Sequence, residues 1–374
     1  MIKGLLIEFL VYLIDKKFTL KSINKYLYDW DYSFKETIYY NSSYTKDYNS
    51  ENHNFDFSFL NKVFKLNHWV LFLPKATVFN ETGVIVINGK VLCDTIYNSK
   101  GYIKKSGLIK PYFKSIIIKP KILSGIYFHL SGLFNYNFFH FLIEVLPKIL
   151  DYMILRKKKP EIKLLINNRN PFIEQYLSLI GIQDSEIKYF QNNVMVQNLY
   201  YSNNKFVYEK LLDGYWNKHI YSKYYLRKMA EKFLLSNNPN LNISKIIYLS
   251  RADSNRVLIN ESEFMEHFNH FKIKKLVLSR MCISDQIFYF KNASLVIAIH
   301  GASLSNLIYS SNCKVIELFP KGRNSSTLYQ LRQISQIGEN NSHHLVEISN
   351  VDKNQNILIN QDEILKVEKL MYGY

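Results

Sequence analysis

Hydrophobic positions change their spacing along this chain, and each change predicts a different kind of element. Over residues 1–62 the apolar positions recur at helical spacing, then give way to an Asn/Ser/Tyr-rich stretch at 40–54 that reads as a loop. From Trp69 to Asp94 the pattern becomes short runs of β type, at 70–73, 84–87 and 91–92. Asn88-Gly89 between the last two is a hairpin turn signal, because both residues tolerate positive φ. Further strands are predicted at 115–118 and 126–130, followed by Ser131-Gly132 and a long helical pattern from Tyr136 to about Leu155. A strand at 163–166, a helix opened by Pro171 and ended by Gly181, and strands at 187–190 and 194–201 complete the first half.

A helical stretch at 218–235 ends at the Asn- and Pro-containing break 236–239. Beyond it the alternation is regular: strands at 246–249, 274–278, 295–299 and 314–319 are separated by helices at 260–271, 284–290 and 303–309. Asn260 with Glu263 forms a capping-box-like start, and Ser284 is a second helix-cap candidate. Apolar strands in β-α-β-α order predict a parallel, doubly wound sheet with both faces covered. A last helix is expected at 363–372. The organisation is therefore α/β, with an N-terminal helical and loop segment (1–62), a first α/β lobe (63–235), a second, Rossmann-like lobe (236–345) and a tail helix (346–374).

Composition narrows the class. At 374 residues there is room for two domains, and a hydrophobic fraction of 47% excludes a disordered chain. Lys and Arg number 48 against 31 Asp and Glu, a net charge of +17 that suits an anionic partner. Nucleotide phosphates, anionic lipid headgroups, an acidic glycan and nucleic acid all qualify. The basic residues form no stripe beyond residues 156–159 and no nucleic-acid motif is present, so a nucleic-acid-binding protein is the most distant reading. Three widely spaced cysteines, Cys93, Cys282 and Cys313, build neither a disulfide framework nor a metal site and fit a reducing, cytoplasmic compartment. The apolar patch from Leu5 to Ile14 is too short to span a bilayer, and no transmembrane segment is expected. Peripheral contact with anionic lipid on the cytoplasmic face is compatible with the charge.

The chemistry concentrates at turns that follow predicted strands. After the apolar run 295–299 come His300 and Gly301, and a helix start with Ala302, Ser303, Ser305 and Asn306. Unpaired N–H groups at such a start, with the helix dipole, attract an anion, and Gly301 lets a phosphate approach the backbone. Arg251, after the strand 246–249, and Arg256 in the following loop are suited to clamping a diphosphate. Glu317 interrupts an apolar strand; ribose hydroxyls and a structural ion pair with Arg or Lys are both adequate partners for it. His140 and Glu144, four apart, share one helix face, and the carboxylate makes the imidazole a stronger base. A capped helix with a satisfied polar pair explains that spacing equally well. Asp29-Trp30-Asp31 has a metal-site spacing but lies in a helical region. His343-His344 reads as an exposed loop pair. Gly-x-Gly-x-x-Gly, P-loop and nucleophile-elbow motifs are absent.

In order, the segments 140–147, 248–261, 285–286, 300–306 and 315–320 resemble glycosyltransferase family 61, of the capsular-polysaccharide type. The resemblance covers about residues 126–331. Ser303 stands where the family usually has Gly, Ser305 where Thr is usual, and Asp253 and Asn255 thin the basic loop. The resemblance implies a type B fold of two Rossmann-like lobes with a cleft between them, the first on the acceptor side and the second binding the nucleotide sugar. It also implies inverting, metal-independent transfer from a nucleotide sugar, UDP-linked in the first instance, to a glycan or lipid-linked glycan acceptor, in capsule, lipopolysaccharide or other surface-glycan synthesis. No cofactor beyond the donor substrate is expected. On this reading His140 or Glu144 is the base, and Arg251, Arg256, His300, Gly301, Ala302, Ser303, Asn306 and Glu317 hold the donor. A non-catalytic scaffold in a glycan assembly complex is the alternative.

Overall fold

The strand–helix alternation predicted for the second half of the chain is present, whereas the first half folds around a mixed sheet. A computed structural model describes residues 19–20, 35–39, 63–95, 119–132, 134–210, 217–234, 241–323, 325–338 and 340–372. The expected strand at 115–118, the apolar patch at 5–14, the Asp29-Trp30-Asp31 motif, the loop at 40–54 and the break at 236–239 lie outside the described residues. The chain divides into two compact units, Met1–Ile38 with Lys65–Tyr225 and Tyr39–Phe64 with Leu226–Tyr374. The division at 225/226 falls inside the helix Lys223–Leu234.

In the first unit eight strands form one sheet. In chain order they are β1 (Thr19–Leu20), β2 (Val70–Val78), β3 (Ile85–Ile87), β4 (Lys90–Leu92), β5 (Lys121–His129), β6 (Lys163–Ile166), β7 (Ile187–Tyr189) and β8 (Val194–Ser202). They lie side by side as β1-β4-β3-β2-β8-β5-β6-β7. Strands β8, β5, β6 and β7 are parallel, but β2 runs antiparallel to β8 and continues into the β3–β4 hairpin. Asn88 and Gly89 make that hairpin turn with φ of 49° and 69°, the positive pair a type I′ turn requires. Strand β1 pairs parallel with β4, so part of the N-terminal segment expected to be helical supplies an edge strand. Leu71 and Leu73 of β2, with Val196 and Leu199 of β8 on either side of an irregularity in its ladder, fill the core.

The helical run beginning at Phe138 starts where Asn137 caps it, accepting from Phe139 N at 3.0 Å and His140 N at 3.4 Å. It is irregular: helix α1 (Phe138–His140) passes into a π-helical turn (Phe141–Val145) and a 3-10 turn (Leu146–Lys148) before helix α2 (Ile149–Lys158). Pro147 has no N–H to give the carbonyl four residues earlier, and its ring clashes there, which explains the local change of winding.

In the second unit β11 (Ile246–Leu249), β12 (Lys274–Leu276), β13 (Leu295–Ile299), β14 (Lys314–Pro320) and β15 (Ser342–Ile348) follow two short strands, β9 (Phe206–Lys210) and β10 (Asn217–Tyr221), that pair with each other in the first. The five form an all-parallel sheet ordered β12-β11-β13-β14-β15. Every residue of β13 is buried, as a strand covered on both faces must be. Phe264 and Phe268, with Ile364, Val367 and Met371 from the last helix (Gln361–Tyr372), pack on Tyr248, Ile297 and Ile316. That helix is therefore part of the second unit's core rather than a separate tail. Burial of such side chains stabilises by about 1.5–3 kcal/mol each.

Candidate active site

Strands β11 and β13 are parallel neighbours, so the residues leaving their carboxyl ends, Arg251 and His300-Gly301, emerge side by side. Gly301 is extended (φ 171°, ψ 178°), a conformation open to any residue. Its glycine supplies room instead: a Cβ there would collide with the Arg251 guanidinium. Arg251 donates from Nη2 to the Asn255 carbonyl at 2.9 Å, and Arg256 donates from Nη1 to the His300 carbonyl at 3.0 Å. Arg256 holds the left-handed φ of 69°, a strained setting for a long side chain.

A third cation, Arg323, follows β14 and was not singled out by sequence. Burial lowers the pKa of all three guanidiniums; Arg256 falls to about 10, with Arg251 and Arg323 adding to the effect. Among the described residues Asp253, acting on Arg251, and Glu317, acting on Arg323, oppose them. Arg323 Nε is buried without a hydrogen-bond partner among the described residues. Converging, partly desolvated like charges of this kind are stabilised by an anion. The signal that could have found Arg323 is its place just beyond a strand end, as for Arg251.

Glu317 has a different task from the ribose contact considered for it. It is fully buried, one oxygen accepts from His300 Nδ1, and the other pairs with His343 Nε2 at 2.7 Å. His343 Nδ1 in turn meets Ser335 Oγ at 3.1 Å. With both oxygens committed and no exposed surface, the carboxylate orients His300 instead of meeting a sugar. Burial would raise the Glu317 pKa, but the two imidazoles bring it down to about 2. His343, expected in an exposed loop, is instead buried on β15, because its partner comes from a strand far away in sequence.

The turn after Gly301 is a 3-10 helix, Ala302–Tyr309, not the expected α-helix. Ser303 Oγ is buried and lacks a partner among the described residues. Asn306, expected on the donor, is fully buried: its amide nitrogen donates to Gln286 Oε1 and to the Ser303 carbonyl, both at 3.2 Å, so it braces the turn from behind. Gln286 anchors the same brace through the Leu278 carbonyl at 2.9 Å. The helix containing Gln286 starts at Ile283, with Cys282 rather than Ser284 at the cap position and no side-chain cap bond. Asn260 caps no helix N–H; it clasps the Ile359 backbone from both sides.

In the first unit His140 and Glu144 do pair, Nδ1 to Oε2 at 2.7 Å, and Tyr221 donates to the other oxygen at 3.1 Å. Glu144 is fully buried, whereas the His140 side chain is 27% exposed. Burial lowers the His140 pKa, but the Glu144 charge and hydrogen bond outweigh it, and the net shift is upward. Because the carboxylate accepts from Nδ1–H, Nε2 is the nitrogen left for other work. Glu144 lies in the π-helical turn, a deviation that recurs at functional sites. Behind it Lys148 is buried over the Tyr201 ring, its pKa brought down to about 8 chiefly by burial.

Among the described residues no group of three or more His, Cys, Asp or Glu side chains is placed to hold a metal ion, and no helix is long and apolar enough to cross a membrane. Residues 138–316 match the family model described as Glycosyltransferase 61. The matched span opens at the helix carrying His140, takes in Arg251, Arg256, His300 and Gly301, and stops one residue short of Glu317. It identifies a glycosyltransferase domain, and the chain is a glycosyltransferase with a sugar donor and a glycan acceptor. No curated protein matches the chain.

Proposed function

We propose that this glycosyltransferase moves a sugar from a nucleotide-sugar donor, UDP-linked in the first instance, to a glycan acceptor with inversion and without a bound metal. The observation that carries the reading is the mutual influence of Arg251, Arg256 and Arg323 beyond the carboxyl ends of the inner strands, Arg251 lying against Gly301, with too little carboxylate among the described residues to balance them. A diphosphate supplies the missing charge, and charge-assisted contacts to it strengthen as negative charge develops on the leaving group. Ser303 adds a hydroxyl without a partner among the described residues, while His300, sealed against Glu317, fixes the strand end that carries the corner.

The reaction is one displacement. His140 Nε2 removes the proton from an acceptor hydroxyl, the oxygen forms a bond to the anomeric carbon, and the bond from that carbon to the diphosphate breaks. Glu144 stabilises the imidazolium formed. The guanidiniums, not a divalent ion, receive the leaving charge. This assignment goes with a type B, two-lobed enzyme of surface-glycan synthesis, acting on the cytoplasmic side and touching anionic membrane through its basic surface.

A thermal-shift screen with UDP-, GDP-, CMP- and TDP-sugars in the presence of a chelator tests the reading. It expects stabilisation by one nucleotide class with chelator present. Stabilisation that appears only on adding a divalent cation, or by none of the four classes, contradicts it.

A further inference from the structure

The aromatic system around His140 does not end at the imidazole. Phe134 lies 4.8 Å from the His140 ring, centroid to centroid, inclined by 34°. Tyr136 meets Phe134 edge-on at 6.0 Å and 78°, and is 62% exposed. The loop that carries both rings is fixed from beneath. Asn135, between them, is fully buried and donates to Asn167 Oδ1 at 2.9 Å. Asn167 ties the same loop to the Gly132 carbonyl at 3.1 Å and to Asn80 O at 2.8 Å. A side chain at Gly132 would press on Asn135 Oδ1 and Val145 Cγ2, at 2.9 and 2.8 Å, so the loop sits as close to the helix as backbone allows. On the other side Asn137 caps α1. With both neighbours anchored inward, the Tyr136 ring is held outward by construction.

We propose that Phe134 and Tyr136 form the platform on which the acceptor's sugar ring stacks, so that one of its hydroxyls reaches His140. The assignment rests on the reading of His140 as the base. Sugars present an apolar C–H face that fits an aromatic ring. Tyr136 presents the exposed ring and Phe134 links it to the imidazole, 4.8 Å between ring centroids, so a sugar on Tyr136 is carried beside His140.

The test uses saturation-transfer NMR on the full chain with the methyl α- and β-pyranosides of glucose, galactose, mannose, xylose, rhamnose and N-acetylglucosamine as probes. Wild type is expected to saturate the ring protons of at least one probe. Tyr136→Ala should weaken that binding by about 2- to 12-fold, the worth of one aromatic stacking contact, while Tyr136→Phe retains it. Because Tyr136 is exposed, the fold survives either change, which circular dichroism checks. No binder among the probes, or a binder indifferent to Tyr136→Ala, overturns the platform. UDP binding by the same three proteins, followed by calorimetry, separates the two ideas: it should be equal in all of them, and its absence in wild type removes the donor reading while the glycoside result still judges the platform.

Discussion

Each unit contains a histidine held by a buried glutamate, and the two pairs are tuned in opposite directions. His140 keeps a quarter of its side chain in solvent and answers to one carboxylate, so its pKa is raised. His300 is 3% exposed, and although Glu317 raises its pKa, burial together with Arg323 and Arg256 lowers it overall. The same pair of residue types therefore gives an imidazole of raised basicity in one place and of lowered basicity in the other. Surroundings assign the role: an accessible pair suits base chemistry, and a sealed pair suits a fixed brace behind the cationic corner.

The strongest way to break this contrast is to remove the accessible imidazole. His140→Ala should lower turnover about 10²- to 10⁴-fold with donor binding intact; a retained turnover number returns the pair to a structural role. Arg256→Ala should reduce kcat/KM for the donor by about 10- to 150-fold, the worth of one charge-assisted contact. Gly301→Ala comes next. It drives the added methyl into the Arg251 guanidinium, so donor affinity should fall about tenfold with little change in Tm, because the clash is with the movable end of a side chain. Donor affinity equal to wild type in that variant would remove Arg251 from the site.

Smaller effects sharpen the comparison through pH. Histidine titration by NMR should place His140 above the ordinary value of 6.5 and His300 below it. The contribution of the His140 pair to stability is present below pH 6.5 and is lost as pH rises through the raised value. The His300 contribution has the opposite sign: the unfolded chain takes up the proton first, so stability falls as pH drops below 6.5. Glu317 adds a second acid loss, as pH falls from 4.5 through about 2. Glu144→Gln should move the acidic limb of the pH–rate profile to lower pH, and an unmoved limb contradicts the assignment.

Local signals in the chain carry much of this account. The Asn88-Gly89 turn, the β-α-β order of the second unit and the pairing of His140 with Glu144 depend on neighbours in sequence, and the spacing of residue types exposes them. Long-range partners leave no such trace. Glu317 and His343 are 26 residues apart and meet only because β14 and β15 are adjacent. The mixed order of the first sheet arises likewise, from β8 returning between β2 and β5. Asn306 resembled a ligand contact because a polar residue beside a phosphate corner has the same sequence signature whether it faces the corner or braces it from behind. Arg323 was hidden by a glycine turn that separates it from its strand.

The most direct test of the central claim is calorimetric titration of UDP into the wild-type protein and Gly301→Ala, each with a chelator and at two salt concentrations. The account predicts saturable, salt-weakened binding in wild type and a clear loss in the variant. Equal affinities, or binding that requires a divalent cation, would contradict it.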